Sequence, residues 1–286
     1  MKPSDFRFSH PLRVRWAEVD IQKIVFNAHY LMYFDTAMAD YWRALALPYE
    51  AAMQRLDGEV FVRKAQIEFN ASARMDDFLD VALRCDRIGT SSMTFVGAIF
   101  RGGQLLVTGE LVYVFADATT LSARPVPPLL RQVLTDYEAG RPIVQVRTGD
   151  WAALRADAAA VRTAVFVDEQ GIGRDDEWDE HDATAIHAVV TNALDMPVAT
   201  GRLLQESAGV SRIGRMAVDR NVRGAGLGRL VIDALHAAAQ ARGDTACVLS
   251  AQRSAEAFYR RLGYVPEGDP YEEVGIAHIA MTRRIA

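Results

Sequence analysis

The sequence predicts an α+β chain folded as two domains. Three observations predict it. The chain has 286 residues, half of them hydrophobic, which is about twice the ~150 residues of one ordinary domain and enough for two packed cores. In the first half a long amphipathic segment precedes a series of strand-like runs. In the second half strands and helices alternate about a glycine-rich turn.

The elements follow in order. Leu12, Val14 and Trp16 alternate with Arg13 and Arg15, the period of a half-buried strand. A loop from Asp20 to Asn27 leads into Leu31, Phe34, Met38, Tyr41, Trp42 and Leu45, spaced three and four apart, which is one long helix stopped by Pro48. Residues 59–69, 78–87, 92–100 and 105–116 read as strands separated by Asp76-Asp77, Gly89 and Gly102-Gly103. One helix and about five mostly antiparallel strands make the first domain. Behind Pro125, Pro127 and Pro128, Leu129 to Tyr137 reads as a closing helix. Glu138 to Pro142 carries turn formers without apolar periodicity, so the domains are expected at 1–139 and 140–286.

The second domain opens with a strand at 143–146 and a helix at 150–165. Strands at 185–192, 198–205 and 212–218 precede a helix at 226–241 with Leu227, Leu230, Val231, Ala234, Leu235 and Ala238 on one face. A strand at 247–251, a short helix at 255–262 and a strand at 277–283 complete it.

Composition narrows the function. Net charge is −5, from 32 basic and 37 acidic residues, divided 15 to 17 through residue 139 and 17 to 20 after it. Neither half has the basic excess that tracks a phosphate backbone, so nucleic acid is not an expected partner. Cys85 and Cys247, one in each half, do not form a disulfide framework, and a reducing, cytoplasmic setting is expected. Residues 1–16 are broken by charge, and no apolar run approaches the roughly 18 residues of a spanning helix, so neither a signal peptide nor a membrane span is expected.

Chemistry concentrates at two places. Met216-Ala217-Val218 leads through Arg223-Gly224-Ala225-Gly226-Leu227-Gly228 into a helix. Glycines let backbone approach a ligand, and unpaired N–H groups at a helix start converge on an anion such as a pyrophosphate. No Gly-Lys-Ser/Thr follows, so this is not a P-loop. Alone, it reads equally as a tight strand–helix turn. After one more strand come Phe258, Tyr259, Gly263 and Tyr264. Arg-x-x-Gly-x-Gly at Arg223, Gly226 and Gly228, followed by Phe-Tyr-x-x-x-Gly-Tyr, resembles the GNAT superfamily of N-acetyltransferases over about residues 143–286.

That resemblance implies a mixed central sheet in which a splayed strand pair holds the pantetheine arm of acetyl-CoA. Met216, Ala217 and Val218 form that strand here, and the amides from Arg223 to Gly228 hold the pyrophosphate. An amine acceptor attacks the thioester directly, and Tyr259 gives a proton to the departing CoA thiolate. The general base is not legible. Asp175 to Asp182 holds six carboxylates in eight positions, which could hold a cationic acceptor or raise one carboxylate's pKa, or could be a solvated loop. Their spacing with His181 and His187 matches no closed metal site.

In the first half, Glu18-Val19-Asp20 to Asn27-Ala28-His29-Tyr30 joins a strand to the long helix. A carboxylate there can face a carbonyl polarised by the first helical N–H groups. Read alone, Asp20 is more readily a loop or capping aspartate. With Tyr30 to Asp35, Val60 to Lys64, Ile67 to Asp77 and Gly109 to Asp117, the segment resembles the hotdog-fold acyl-CoA thioesterases of the 4-hydroxybenzoyl-CoA thioesterase family, in particular the Tol-Pal-associated branch, over about residues 8–135. The resemblance implies a long helix wrapped by an antiparallel sheet. It makes Asp20 catalytic, as nucleophile or activator of water, and makes the Asn27 backbone amide the group that polarises the thioester carbonyl. It also implies a homodimer or homotetramer through the hotdog domain. Lys23 stands where the family pattern has glycine, and Asn27 where histidine or tyrosine is common.

Together these give a bifunctional enzyme with acyl-CoA and acetyl-CoA as substrates and no metal or prosthetic group. The alternative keeps one domain as a non-catalytic CoA-binding or oligomerisation module. A purely structural protein would require both sites to be relics.

Overall fold

The computed structural model describes residues 1–273 and 275–285, with Asp176 described by its backbone alone. The chain divides into two compact units, Met1–Ile143 and Val144–Ala286.

In the first unit β1 (Phe8–Arg13) is followed by α1 (Asn27–Ala44), α2 (Tyr49–Leu56), β2 (Glu59–Phe69), β3 (Phe78–Ile88), β4 (Ser92–Arg101), β5 (Gln104–Ala116) and α3 (Pro128–Glu138). The strands lie in the order β1-β3-β4-β5-β2, all antiparallel. Tyr30, Tyr33, Phe34, Ala37, Met38, Tyr41 and Trp42 bury one stripe of α1. This is the long helix on an antiparallel sheet that the sequence predicts.

Three details differ. The first strand ends at Arg13, and Trp16 opens a 3-10 turn with its ring 84% exposed. Val14 keeps a backbone pair with Asp76 and Asp77, after which the chain must swing into the Asp20 loop. The long helix stops at Ala44, where Ala46 takes φ 56°, and Pro48 instead caps α2, a helix the sequence reading omits. Only Ala52 and Met53 of α2 are buried, too few to leave a periodic signature.

The second unit contains β6 (Val144–Gly149), α4 (Trp151–Arg162), a π-helical turn (Thr163–Glu169), α5 (Arg174–Glu177), β7 (Ile186–Asn192), β8 (Pro197–Ser207), β9 (Val210–Val218), α6 (Leu227–Ala241), β10 (Ala246–Gln252), α7 (Glu256–Arg261), β11 (Val265–Glu273) and β12 (Ile276–Arg284). The sheet order is β11-β12-β10-β9-β8-β7-β6. Only β9 and β10 pair in parallel, so the sheet is mixed. Asp150 caps α4 by accepting the Ala153 N–H at 2.9 Å. β11 is absent from the sequence reading because Pro266, Gly268 and Pro270 break its pattern. Proline is tolerated there because β11 is an edge strand with a bulge between Glu267 and Tyr271.

Candidate active sites

Parallel pairing of β9 with β10 runs from Val210↔Ala246 to Ile213↔Leu249 and stops. β9 goes on beside β8 through a bulge in which Arg215 takes φ 52°, while β10 turns toward α7. The strands splay, and a cleft of about 750 Å³ opens between them, with Met216, Leu249, Ser250, Gln252 and Tyr259 on its walls. Met216 and Val218 are partly exposed and Ala217 is buried. Gly201 on β8 has no room for a Cβ, which would lie 2.5 Å from the Met216 sulfur.

The turn beyond β9 is shaped by glycine. Gly224 takes φ 93° and Gly226 φ 80°, the left-handed region that side chains disfavour. Gly228 lets Phe258 close in, because a Cβ there would sit 3.2 Å from its ring. Ala225 donates to the Val222 carbonyl at 3.3 Å. Among the described residues the N–H groups of Gly224, Gly226, Leu227 and Gly228 have no acceptor. They open the 15-residue helix α6, whose positive dipole end favours an anion. The Arg223 side chain is exposed but already engaged: its Nε donates to the Val218 carbonyl and both terminal nitrogens donate to Glu169.

Tyr259 is buried on α7, edge-on to Phe258 and Tyr264, and its hydroxyl has no partner among the described residues. Burial pushes its phenol far above the ordinary range. It therefore stays protonated at neutral pH and available as a donor.

Part of the acidic run is a buried ion network, while Asp175 and Glu180 are exposed and Glu177, Asp179 and His181 line the same cleft. Glu177 accepts from Arg162 at 2.5 Å, Asp182 accepts from Arg162 at 2.7 Å and Arg202 at 2.8 Å, and Asp179 takes Arg202 and Arg215. Arg162, Glu177 and Asp182 are buried, with Arg162 also lying over the Trp178 ring. Burial raises the carboxyl of Glu177 despite its arginines. Burial would raise Asp179 and Asp182 too, but the Arg202 and Arg162 bonds outweigh it and hold both below the usual range. The Asp176 side chain lies outside the described residues. Sequence reasoning missed these arginines, because nothing local marks a partner that the fold supplies.

It also missed His278, on the cleft wall. Its Nδ1 lies 2.8 Å from the Ile276 carbonyl. A carbonyl only accepts, so Nδ1 is the donor in that bond.

In the first unit Asp20 sits in a tight loop closed by a Val19↔Val25 bridge and by its own N–H on the Ile24 carbonyl at 2.9 Å. Asp20 Oδ1 accepts the Gln22 N–H at 2.8 Å. Lys23 does adopt the left-handed conformation of the glycine it replaces, φ 62°, at a cost of about 1–2 kcal/mol. Phe26 at the N-cap of α1 offers no side-chain cap, and the Asn27 and Ala28 N–H groups have no acceptor among the described residues. Loop and helix are tied by Glu18, a residue whose part the sequence does not disclose. Its buried carboxylate accepts the Tyr33 hydroxyl at 2.7 Å and the Arg15 N–H at 2.8 Å. Burial works against that charge, yet these bonds hold its carboxyl low.

Residues 165–285 match the acetyltransferase (GNAT) domain family. The N-acetyltransferase YjcF of Bacillus subtilis, described as uncharacterized, is 34% identical over 128 residues, which span 44% of this chain and 90% of that protein. The chain belongs to the GNAT acetyltransferases. Its first unit is a thioesterase-like hotdog domain, matched over residues 14–134. The acyl-CoA thioester hydrolase YbgC of Escherichia coli is 27% identical over 121 residues, 42% of this chain and 90% of that protein. The solved 1,4-dihydroxy-2-naphthoyl-CoA thioesterase of Synechocystis is 20% identical, with TM-score 0.42, covering 45% of this chain and 96% of that one. The chain thus joins a thioesterase-like domain to a GNAT acetyltransferase domain, two folds that act on CoA thioesters.

Proposed function

We propose that both domains turn over: residues 140–286 transfer acetyl from acetyl-CoA to an amine, and residues 1–139 hydrolyse acyl-CoA to free acid and CoA. The observations that carry the transferase are the cleft where β9 leaves β10, with Met216 and Tyr259 on its walls, and the unpaired amides that follow β9 at the start of α6. Met216, Ala217 and Val218 present strand edge to the pantetheine arm. Gly224 to Gly228, with Arg223 at their head, take the diphosphate on backbone N–H groups.

The acceptor nitrogen, deprotonated, attacks the acetyl carbonyl carbon. A C–N bond forms and the C–S bond breaks. Tyr259 gives its proton to the departing sulfur and recovers one from the new ammonium centre, so the products are the acetamide and free CoA thiol. Burial keeps the phenol protonated in the resting site and makes it the weaker acid, so the transfer relies on the thiolate charge that develops beside the hydroxyl.

In the hotdog domain the thioester carbonyl points at the Asn27 N–H, where the helix dipole supports the developing oxyanion. Asp20 attacks that carbon to form a mixed anhydride that water then cleaves, or takes a proton from the attacking water; in either course the C–S bond breaks and CoA leaves as the thiolate, which takes up the proton that water gives up. Glu18 acts on neither substrate nor water; it fixes the loop to α1 through Tyr33. A homodimer or homotetramer through this domain is supported by β2, an 11-residue sheet edge with Phe61, Val62 and Phe69 exposed, a surface that asks for cover. No described helix is long and apolar enough to cross a membrane, and the two unpaired thiols suit a cytoplasmic setting.

Two substitutions test the assignment. Asp20→Asn should abolish hydrolysis and leave acetyl transfer. Tyr259→Phe should slow transfer without weakening acetyl-CoA binding, and an undiminished rate would return Tyr259 to a packing role.

A further inference from the structure

We propose that Glu169 is a positioning residue for the coenzyme: it straps Arg223 at the head of the glycine-rich turn, so the signature arginine organises the diphosphate-binding amides and does not itself ligate the diphosphate. The inference rests on the acetyl-CoA reading of this cleft.

The occupancy of the guanidinium carries it. Arg223 Nε donates to the Val218 carbonyl at 3.0 Å, at the end of β9. Its Nη1 and Nη2 donate to the two oxygens of Glu169, each at 2.7 Å. This is the fork-on-fork arrangement in which a planar guanidinium is fully oriented. A diphosphate ligated by this fork would have to displace a carboxylate that already fits it.

Both ends of the strap are anchored on the same strand. Glu169 closes the π-helical turn Thr163–Glu169, and a π-turn re-aims the side chains that follow it. Val165 and Phe166 of that turn pack with Val161 against Ala217 of β9, and Ile172 leans on the same cluster. The carboxylate is thus held at a fixed height over β9, and Arg223 spans from it back to Val218. The segment these bonds close, Val218 to Arg223, runs directly into two residues at positive φ, Gly224 and Gly226. Such a turn has broad conformational freedom unless something pins it. The strap pins it, and its amides are then preorganised for an anion.

The two possible roles of Arg223 predict opposite signs. If Arg223 is a strap, Glu169→Gln loosens the turn and weakens acetyl-CoA. If Arg223 is a diphosphate ligand restrained by Glu169, the same change frees it and strengthens binding.

The test uses the full chain carrying Asp20→Asn, titrated calorimetrically with acetyl-CoA and, by competition, with S-acetylpantetheine, which lacks the diphosphate. Gly226→Val on the same background identifies the signal of this site, as the part of the isotherm it removes. The expected result is an acetyl-CoA affinity about fivefold to tenfold lower in Glu169→Gln, an unchanged affinity for S-acetylpantetheine, and partial recovery in Glu169→Asp. Tighter or unchanged acetyl-CoA binding would overturn the strap, and so would an equal loss for both ligands, which marks general damage. An isotherm untouched by Gly226→Val would overturn the acetyl-CoA reading and the strap with it.

Discussion

Gly97 of β4 and Gly109 of β5 sit directly opposite each other in the sheet, and the Phe34 ring of α1 fills the notch their missing side chains leave. A Cβ on Gly97 would lie 2.4 Å from that ring, and one on Gly109 2.8 Å. Phe34 is fully buried and cannot retreat. The pair sets how closely the long helix lies on its sheet, and with it the height of the helix start at Asn27.

Gly97→Ala should therefore destabilise the first unit by about 1–3 kcal/mol through overpacking. The check is the urea midpoint of that unit's transition, together with hydrolysis rate. An unshifted midpoint would mean that the helix rides on other contacts.

The buried ion network gives a second expectation. Asp182 accepts from both Arg162 and Arg202, so Asp182→Asn leaves two buried guanidinium groups short of charge, at a cost of about 3 kcal/mol or more. Asp175→Asn, on an exposed residue of the same acidic run, should stay within about 0.5 kcal/mol. Chemical denaturation of the two variants side by side reads the contrast. Equal shifts would deny the network its structural part.

His236 predicts a pH dependence. It is buried on α6, 2.7 Å from the Tyr264 hydroxyl, and burial first, then the Arg283 charge, pushes its imidazole down to about 4 against a slight opposing pull from Asp233. The unfolded chain binds this proton near 6.5. Stability is thus full above that pH and drains as pH falls toward 4, by up to about 3 kcal/mol. His236→Gln removes the titration, so its stability should fall less than wild type between pH 7 and pH 4.5. Parallel slopes would place the imidazole in solvent.

Much of this fold is written in local periodicity. The stripe from Tyr30 to Trp42 and the apolar face of α6 recur every three or four residues, and β2 occupies the strand read at 59–69. The turn at Gly224 and Gly226 is legible because only glycine suits its φ values. What was not legible depends on distant partners. Glu177 and Asp182 look like surface charge until Arg162 and Arg202 arrive from α4 and β8. Gly97 and Gly109 read as weak strand positions until their register sets them face to face. Lys23 looks incompatible with a glycine conformation, and the closed loop around Asp20 imposes it all the same. β11 escaped notice because edge strands tolerate the prolines that exclude central ones.

The central claim, that the first unit is a working thioesterase independent of the transferase on the same chain, is tested most directly by release of free CoA thiol. Acetyl-, medium-chain, long-chain and aromatic acyl-CoAs are supplied without any amine to wild type, Asp20→Asn and Tyr259→Phe. The account predicts release by wild type and Tyr259→Phe alike, and none by Asp20→Asn. No release from any thioester by wild type, or release that survives in Asp20→Asn, would contradict it.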